Sequence, residues 1–314
     1  MRAQIVKTEP TDIVKAELSL SQIVENFINS QDVKPSSKAL YTRTLKQYFN
    51  WITKEEMNLS QITRIELLQY KQNLLDSGLS PLTVGSYITV VRKFYEWAEA
   101  NKIYPNVAKG IKTPRRKQQF KKQALTPELG TELLKHFEHK AKRDYAIVNL
   151  LIRTGLRTIE ISRANIEDIT FKSGKRVLLV HGKGRDSKDN FVVLTNKAYQ
   201  PIEEYLNTRP TAKGGEPLFT STSNNSRGKT LTTRTISGVV KEGMRAIGLD
   251  SKEFTAHSLR HTTAVNILRA GGRIEDAQGV LRHSSPTTTQ IYTETIKEEL
   301  RIKNSAEELI DSLM

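Results

Sequence analysis

The residues best suited to chemistry lie in the second half of the chain, in a recognisable order. Thr154-Gly155-Leu156-Arg157 is followed by Glu160. Lys183 stands between Gly182 and Gly184. His257-Ser258-Leu259-Arg260-His261 comes next, then Leu281-Arg282-His283, and Tyr292 follows nine residues after His283. This set suits an anion. The planar fork of an arginine stays protonated and grips a phosphate at two points. An imidazole moves protons near neutral pH, an ammonium can donate one to a leaving oxygen, and a hydroxyl can act as a nucleophile. Each residue alone also has an ordinary explanation. Arg157 and Glu160 have the i, i+3 spacing of a structural ion pair. Arg260 could be a basic residue on a helix surface. Lys183 could be an exposed turn lysine, with Arg185 and Lys188 nearby. Tyr292 is one of ten tyrosines, most of which pack.

Composition narrows the partner. The 314 residues include 49 Lys+Arg against 34 Asp+Glu, a net charge of +15. That surplus favours a polyanion, most simply nucleic acid. The chain has no cysteine, which excludes disulfide scaffolds, thiolate metal sites, iron–sulfur clusters and cysteine nucleophiles. Its apolar runs are far short of a membrane span. Met1-Arg2-Ala3-Gln4 leads into lysine and acidic residues, not an apolar signal core. A cytoplasmic location without a membrane partner is therefore expected. A metal site at His257, His261 and His283 lacks a carboxylate at ligand spacing, so no metal and no cofactor is expected.

The elements that must position these residues read as mainly α, in two domains. Residues 1–18 have little periodicity and read as a flexible leader. Over 19–108 the period is helical. Leu20, Ile23, Val24, Phe27 and Ile28 share one face, and Tyr41, Leu45, Tyr48, Phe49 and Ile52 another. Thr63 with Glu66 is a capping box, and Ser80-Pro81 an N-cap followed by proline at N1. The spacing predicts a small all-helical domain. Residues 109–124 form a basic linker, where Lys109, Lys112, Arg115, Arg116, Lys117, Lys121 and Lys122 have no acidic neighbour. Seven uncompensated charges repel each other unless a polyanion neutralises them. A larger, mixed, mostly helical domain occupies 125–295. Tyr145–Leu156 is apolar around its circumference and should be buried. Arg176–His181 and Phe191–Leu194 read as strands of a small antiparallel sheet, and helices resume over Tyr199–Leu206, Thr233–Ile247, His257–Ala270 and Ile274–His283. Residues 296–314 form an amphipathic tail helix, which could dock on a neighbouring protomer or pack on its own domain.

In this order the motifs resemble the tyrosine recombinases, the phage-integrase and Xer-type enzymes that cut and rejoin DNA. The resemblance covers nearly the whole chain. It implies that the helical domain is a core-binding domain and the larger one a catalytic domain. It also implies double-stranded DNA as partner and self-association as a tetramer on two DNA sites. Two departures stand out: the segment Arg185–Asn190 is longer than usual, and Arg282 occupies the position where the family usually has glycine.

The resemblance gives each residue a role that its chemistry supports. Tyr292 would be the nucleophile, leaving a 3′-phosphotyrosine and a free 5′-hydroxyl. Arg157 and Arg260 would clamp the phosphate and stabilise its transition state, with Glu160 aiming Arg157. Lys183 would protonate the leaving oxygen, and His257 and His283 would assist proton transfer or hold a non-bridging oxygen. His261 reads as structural. Backbone contacts are expected from Lys38, Arg43, Lys46, Arg92, Lys93, Arg115, Arg116, Lys117, Lys121, Lys122 and Arg282. The expected function is the integrase or transposase of a mobile genetic element. The alternatives are a Xer-like resolvase of chromosome or plasmid dimers, a type IB topoisomerase, and a non-catalytic DNA-binding protein on the same fold. The last predicts loss of a chemical residue, and none is missing.

Overall fold

The structure is a computed structural model and describes residues 19–115, 123–181, 188–283, 292, 296–297, 299, 301–302, 306–311 and 313. The chain divides into two compact units, Met1–Gln118 and Gln119–Met314. No helix among the described residues is long and apolar enough to cross a membrane.

The first unit is built from α1 (Leu20–Ser30), α2 (Pro35–Lys54), α3 (Arg64–Asp76) and α4 (Pro81–Ala100). Their starts are set by local chemistry. Ser19 and Thr63 form capping boxes with Gln22 and Glu66, and Ser80 accepts from Thr83 N ahead of Pro81. The hydroxyl of Thr63 holds the Glu66 carboxyl below the usual carboxylate range. The core is aromatic: Phe27, Tyr48, Tyr70, Phe94 and Tyr95 are buried together. The phenols of Tyr48 and Tyr95 meet at 2.8 Å, which satisfies two polar groups that burial would otherwise penalise. Leu20, expected on the packed face, is instead exposed in the first turn.

The second unit opens with α5 (Pro127–Glu138), capped by Thr126, and α6 (Lys142–Thr154). As the sequence predicts, α6 is buried nearly all round, with every residue from Ala146 to Ile152 out of solvent. It stops at Gly155, whose φ of +60° is the left-handed conformation that favours glycine. The short helix α7 (Thr158–Ser162) follows. A three-stranded antiparallel sheet, in the order β1 (Ile169–Lys172), β2 (Lys175–Val180), β3 (Asn190–Val193), is joined in the register Ile169↔Leu178 and Leu178↔Val192. That register puts Leu178, Val180 and Val192 into the core. β1 escapes the sequence reading because it is a four-residue strand with two exposed residues and no alternation. Then come α8 (Asn196–Leu206), α9 (Thr233–Ala246), α10 (Ala256–Arg269) and α11 (Ile274–Leu281).

α10 is buried largely through polar residues, and hydroxyls fix its place. Thr262 Oγ1 accepts from Leu125 N at 2.9 Å, and Thr263 Oγ1 donates to Ile152 O at 2.9 Å. The second bond ties α10 to the end of α6. In the tail, Glu299 makes a two-point ion pair with Arg269 of the same chain, at 2.5 and 3.0 Å.

A Cβ at Gly155 would lie 2.5 Å from Leu281 Cδ2 and 3.3 Å from Thr263 Cβ. Gly155→Ala is therefore expected to lose roughly 1–3 kcal/mol of stability from the left-handed backbone alone, measured by urea unfolding. A variant as stable as the parent would show that this turn is not constrained.

Candidate active site

The ends of three helices build the site. Arg157 is the N-cap of α7, two residues beyond the Gly155 turn. Its backbone N–H donates to Glu160 Oε2 at 2.8 Å, and its Nη1 donates to Glu160 Oε1 at 2.9 Å. The ion pair that looked like a rival to a phosphate role is thus present, and it fixes the guanidinium from below. The Arg157 side chain stays about one-third exposed, whereas the Glu160 side chain is almost fully buried.

Arg260 lies in the second turn of α10 and is 2% exposed. Its Nη1 donates to Gly155 O and its Nη2 to Leu281 O. One guanidinium therefore joins the C-terminal ends of α6 and α11 to α10. A guanidinium carries five N–H donors, so donors remain for an anion. Burial, then the charges of Arg157 and Arg282, pull the Arg260 pKa down to about 9, while Glu160 and Tyr292 oppose that shift. The crowding of positive charge favours an incoming anion.

His283 follows α11 directly. Its N–H donates to Gln278 O at 3.2 Å and its carbonyl accepts from Gln278 Nε2 at 3.3 Å. Burial and the neighbouring charges of Arg260, Arg157, His257 and Arg282 push its pKa down to about 4. His283 is therefore a neutral imidazole at pH 7, a hydrogen-bond partner and not a cation.

Tyr292 is helical and buried, packed with Ala264, Val265, Ala277 and Leu281. Its ring lies edge-on to His261 at 5.1 Å and stacked on His283 at 6.3 Å, and His261 in turn is edge-on to His257 at 4.8 Å. Burial raises the pKa of the phenol, and the two guanidiniums of Arg260 and Arg157 pull it back. The resting group is a protonated phenol in a positive field.

The structure thus brings Arg157, His257, Arg260, His283 and Tyr292 together, with Glu160 beneath Arg157. Lys183 lies outside the described residues, as does the turn before Tyr292. On the returning side of the β2–β3 connection, Lys188 Nζ is 2.6 Å from Oδ1 of the buried Asp168, so this lysine is held by a carboxylate. Sequence reasoning missed the place of His261, which sits between His257 and Tyr292. The available signal was its i, i+4 spacing from His257, which puts both rings on one helix face.

Of the expected DNA contacts, Arg43, Lys46, Arg92, Lys93 and Arg115 are exposed. Lys38 is half-buried, with Nζ 3.4 Å from Asn29 O. Arg116, Lys117, Lys121 and Lys122 lie outside the described residues. Arg282 departs from expectation. Its side chain is only 8% exposed and turns inward, with Nη2 2.8 Å from Glu160 Oε2, so a buried carboxylate and not solvent receives its charge.

Residues 123–299 match the Phage integrase family, and residues 24–102 match the Phage integrase, N-terminal SAM-like domain. The chain belongs to the phage integrase family. Among similar proteins, Tyrosine recombinase XerC of Pelobacter propionicus is 30% identical over 269 residues, 84% of this chain and 86% of that protein. Tyrosine recombinase XerC of Leptospira interrogans is 29% identical over 300 residues, 90% of this chain and 92% of that protein. In fold, the chain is similar to the XerH site-specific recombinase in its post-cleavage complex with palindromic difH substrate. That likeness has a TM-score of 0.72 at 22% identity and covers 92% of this chain and 85% of that one. This phage integrase family member is a tyrosine site-specific recombinase, and its two matched regions fall within the two units of the fold.

The His283 shift makes a stability prediction. The folded-state pKa of about 4 lies below the unfolded value of about 6.5. Between these, the unfolded chain binds a proton that the folded chain refuses, so stability is full above pH 6.5 and falls as the pH drops towards 4. Thermal melting at pH 7.5 and 5.0 should show this loss, and His283→Gln should reduce it. An identical pH dependence in the variant would remove His283 as a cause.

Proposed function

We propose that Tyr292 attacks a DNA phosphodiester and becomes esterified to the 3′ end of the cut strand. The phenolic oxygen forms a bond to phosphorus, and the bond from phosphorus to the 5′-oxygen breaks. The phenol's proton passes to an imidazole of the His257–His261–His283 group, and Lys183 supplies a proton to the departing 5′-oxygen. Arg157 and Arg260 hold the non-bridging oxygens where charge accumulates. Attack by the 5′-hydroxyl of another strand reverses the bond changes, and the ester conserves the energy needed for joining. The observation that carries this reading is the placement of Tyr292 in the joint field of Arg157 and Arg260.

The exposed cations Arg43, Lys46, Arg92, Lys93 and Arg115 suit contacts to the phosphate backbone. The DNA is double-stranded, and four protomers assemble on two sites. Ile310 and Leu313 are exposed in the tail, and a neighbouring protomer would cover them. As substrate we favour the ends of a mobile element. Two departures from the family pattern support this, Arg282 and the long Arg185–Asn190 segment. Dimer resolution is the second reading, favoured by the likeness to XerC over most of both chains. Sequencing the DNA beside the coding sequence separates them. A short sequence repeated at two element boundaries, and exchanged by the protein, supports the first reading. Exchange confined to one chromosomal or plasmid site supports the second.

The chemistry is tested with a duplex from that DNA, nicked beside the cleavage point. Wild type should form an SDS-resistant protein–DNA adduct, and Tyr292→Phe should form none. Arg157→Lys should slow adduct formation by about 10²–10³-fold, because it loses a fork that acts in the transition state, with DNA affinity retained. A parallel fall in affinity would refute the clamp role of Arg157. Replacing Arg43 or Lys46 by Ala should weaken binding similarly across sequences and reduce the slope of log K against log salt by about 1. An unchanged slope would remove that side chain from the interface.

A further inference from the structure

Arg282 has a backbone φ of +55° and ψ of +46°, the left-handed conformation, at the C-cap of α11. For a residue with a Cβ this conformation is strained, and glycine would adopt it freely. Its side chain is more than nine-tenths buried. Nη1 donates to Val280 O at 2.6 Å and Nη2 to Glu160 Oε2 at 2.8 Å, while the buried Nε has no hydrogen-bond partner. The chain therefore tolerates two costs at this position, backbone strain and an orphaned donor. What the side chain accomplishes in return is visible at Glu160. Oε2 receives the Arg157 N–H and the Arg282 guanidinium, and Oε1 receives the Arg157 guanidinium. One buried carboxylate is thus shared between two arginines, one buried and one reaching towards solvent.

We propose that Arg282 is a positioning residue for strand cleavage: by occupying Oε2 of Glu160 it confines the Arg157 guanidinium to Oε1, and so keeps the outer edge of that guanidinium available to the scissile phosphate. Without Arg282, Glu160 is a buried carboxylate whose only guanidinium partner among the described residues is Arg157. A fork facing a carboxylate closes to a bidentate pair, and the donors used in the second bond are withdrawn from the phosphate. Arg282 also neutralises the charge of Glu160, so the carboxylate does not cancel the field that favours an anion between Arg157 and Arg260. This role rests on the phosphotyrosine reading above, and it differs from the expected direct contact between Arg282 and DNA.

The test compares wild type, Arg282→Gly, Glu160→Gln and the double variant Arg282→Gly/Glu160→Gln. Two quantities are measured: single-turnover adduct formation on the nicked duplex, and the Arg157 Nε–Hε resonance of the DNA-free, ¹⁵N-labelled protein. Melting temperature and duplex affinity are recorded alongside. Arg282→Gly should cleave about ten- to a hundredfold more slowly, as expected for a displaced catalytic group, with unchanged affinity. Its Arg157 resonance should move. Adding Glu160→Gln removes the competing charge and should restore part of the rate and return the resonance towards its original position. Wild-type cleavage by Arg282→Gly, or a rate loss that follows the melting temperature and is not relieved in the double variant, overturns the proposal. If wild type itself forms no adduct, the phosphotyrosine reading has failed, and the Arg157 resonance still decides the present one: no movement in Arg282→Gly excludes it.

Discussion

A guanidinium buried among backbone carbonyls organises the second unit. Arg260 comes from α10, and its two donated bonds end on Gly155 at the close of α6 and on Leu281 at the close of α11. Helix C-termini leave carbonyl groups without intrahelical partners, and a cation there is favoured by the helix dipole. Two such ends converge on one side chain. Arg157 follows the first end by two residues and His283 follows the second by two, so the same bonds that satisfy the helix ends also bring together the groups proposed to meet the phosphate. Hydroxyl bonds from Thr262 and Thr263 hold α10 in register with Leu125 and Ile152.

The charges of the site are arranged for a ligand that brings its own negative charge. Arg157, Arg260 and Arg282 surround a single carboxylate, Glu160. Burial pushes that carboxyl up, but Arg282 and the N–H and guanidinium of Arg157 together outweigh burial and hold it below its usual range. Burial, reinforced by the net positive field, keeps His283 neutral, and the same field opposes the effect of burial on Tyr292. A phosphodiester entering this field relieves the repulsion among the arginines. The neutral imidazole of His283 and the protonated phenol of Tyr292 are then groups able to exchange protons.

Local chemistry was legible wherever a residue acts on its own neighbours. The capping box at Thr63–Glu66 and the proline at N1 of α4 stand where the pattern put them, because each depends on residues within one turn. The burial of α6 was also readable, since its circumference has no polar stripe. β1 was not, because its place comes from pairing with β2 and not from alternation. The direction of Arg282 was equally hidden. A basic residue beside a proposed phosphate site reads as an outward contact, and only the position of Glu160, far away in the chain, turns it inward.

The sequence alone determined the two-part helical organisation, the order of Arg157, His257, Arg260, His283 and Tyr292, and through them the kind of chemistry. These follow from residue type and short-range spacing, which need no knowledge of distant contacts. Tertiary structure alone decided that Arg260 is an internal strut as well as a cation, that His261 stands between His257 and Tyr292, and that Arg282 shares a buried carboxylate with Arg157. Each of these depends on which helix ends meet, and that is settled by packing between segments distant in the chain, where neither periodicity nor a motif carries a signal.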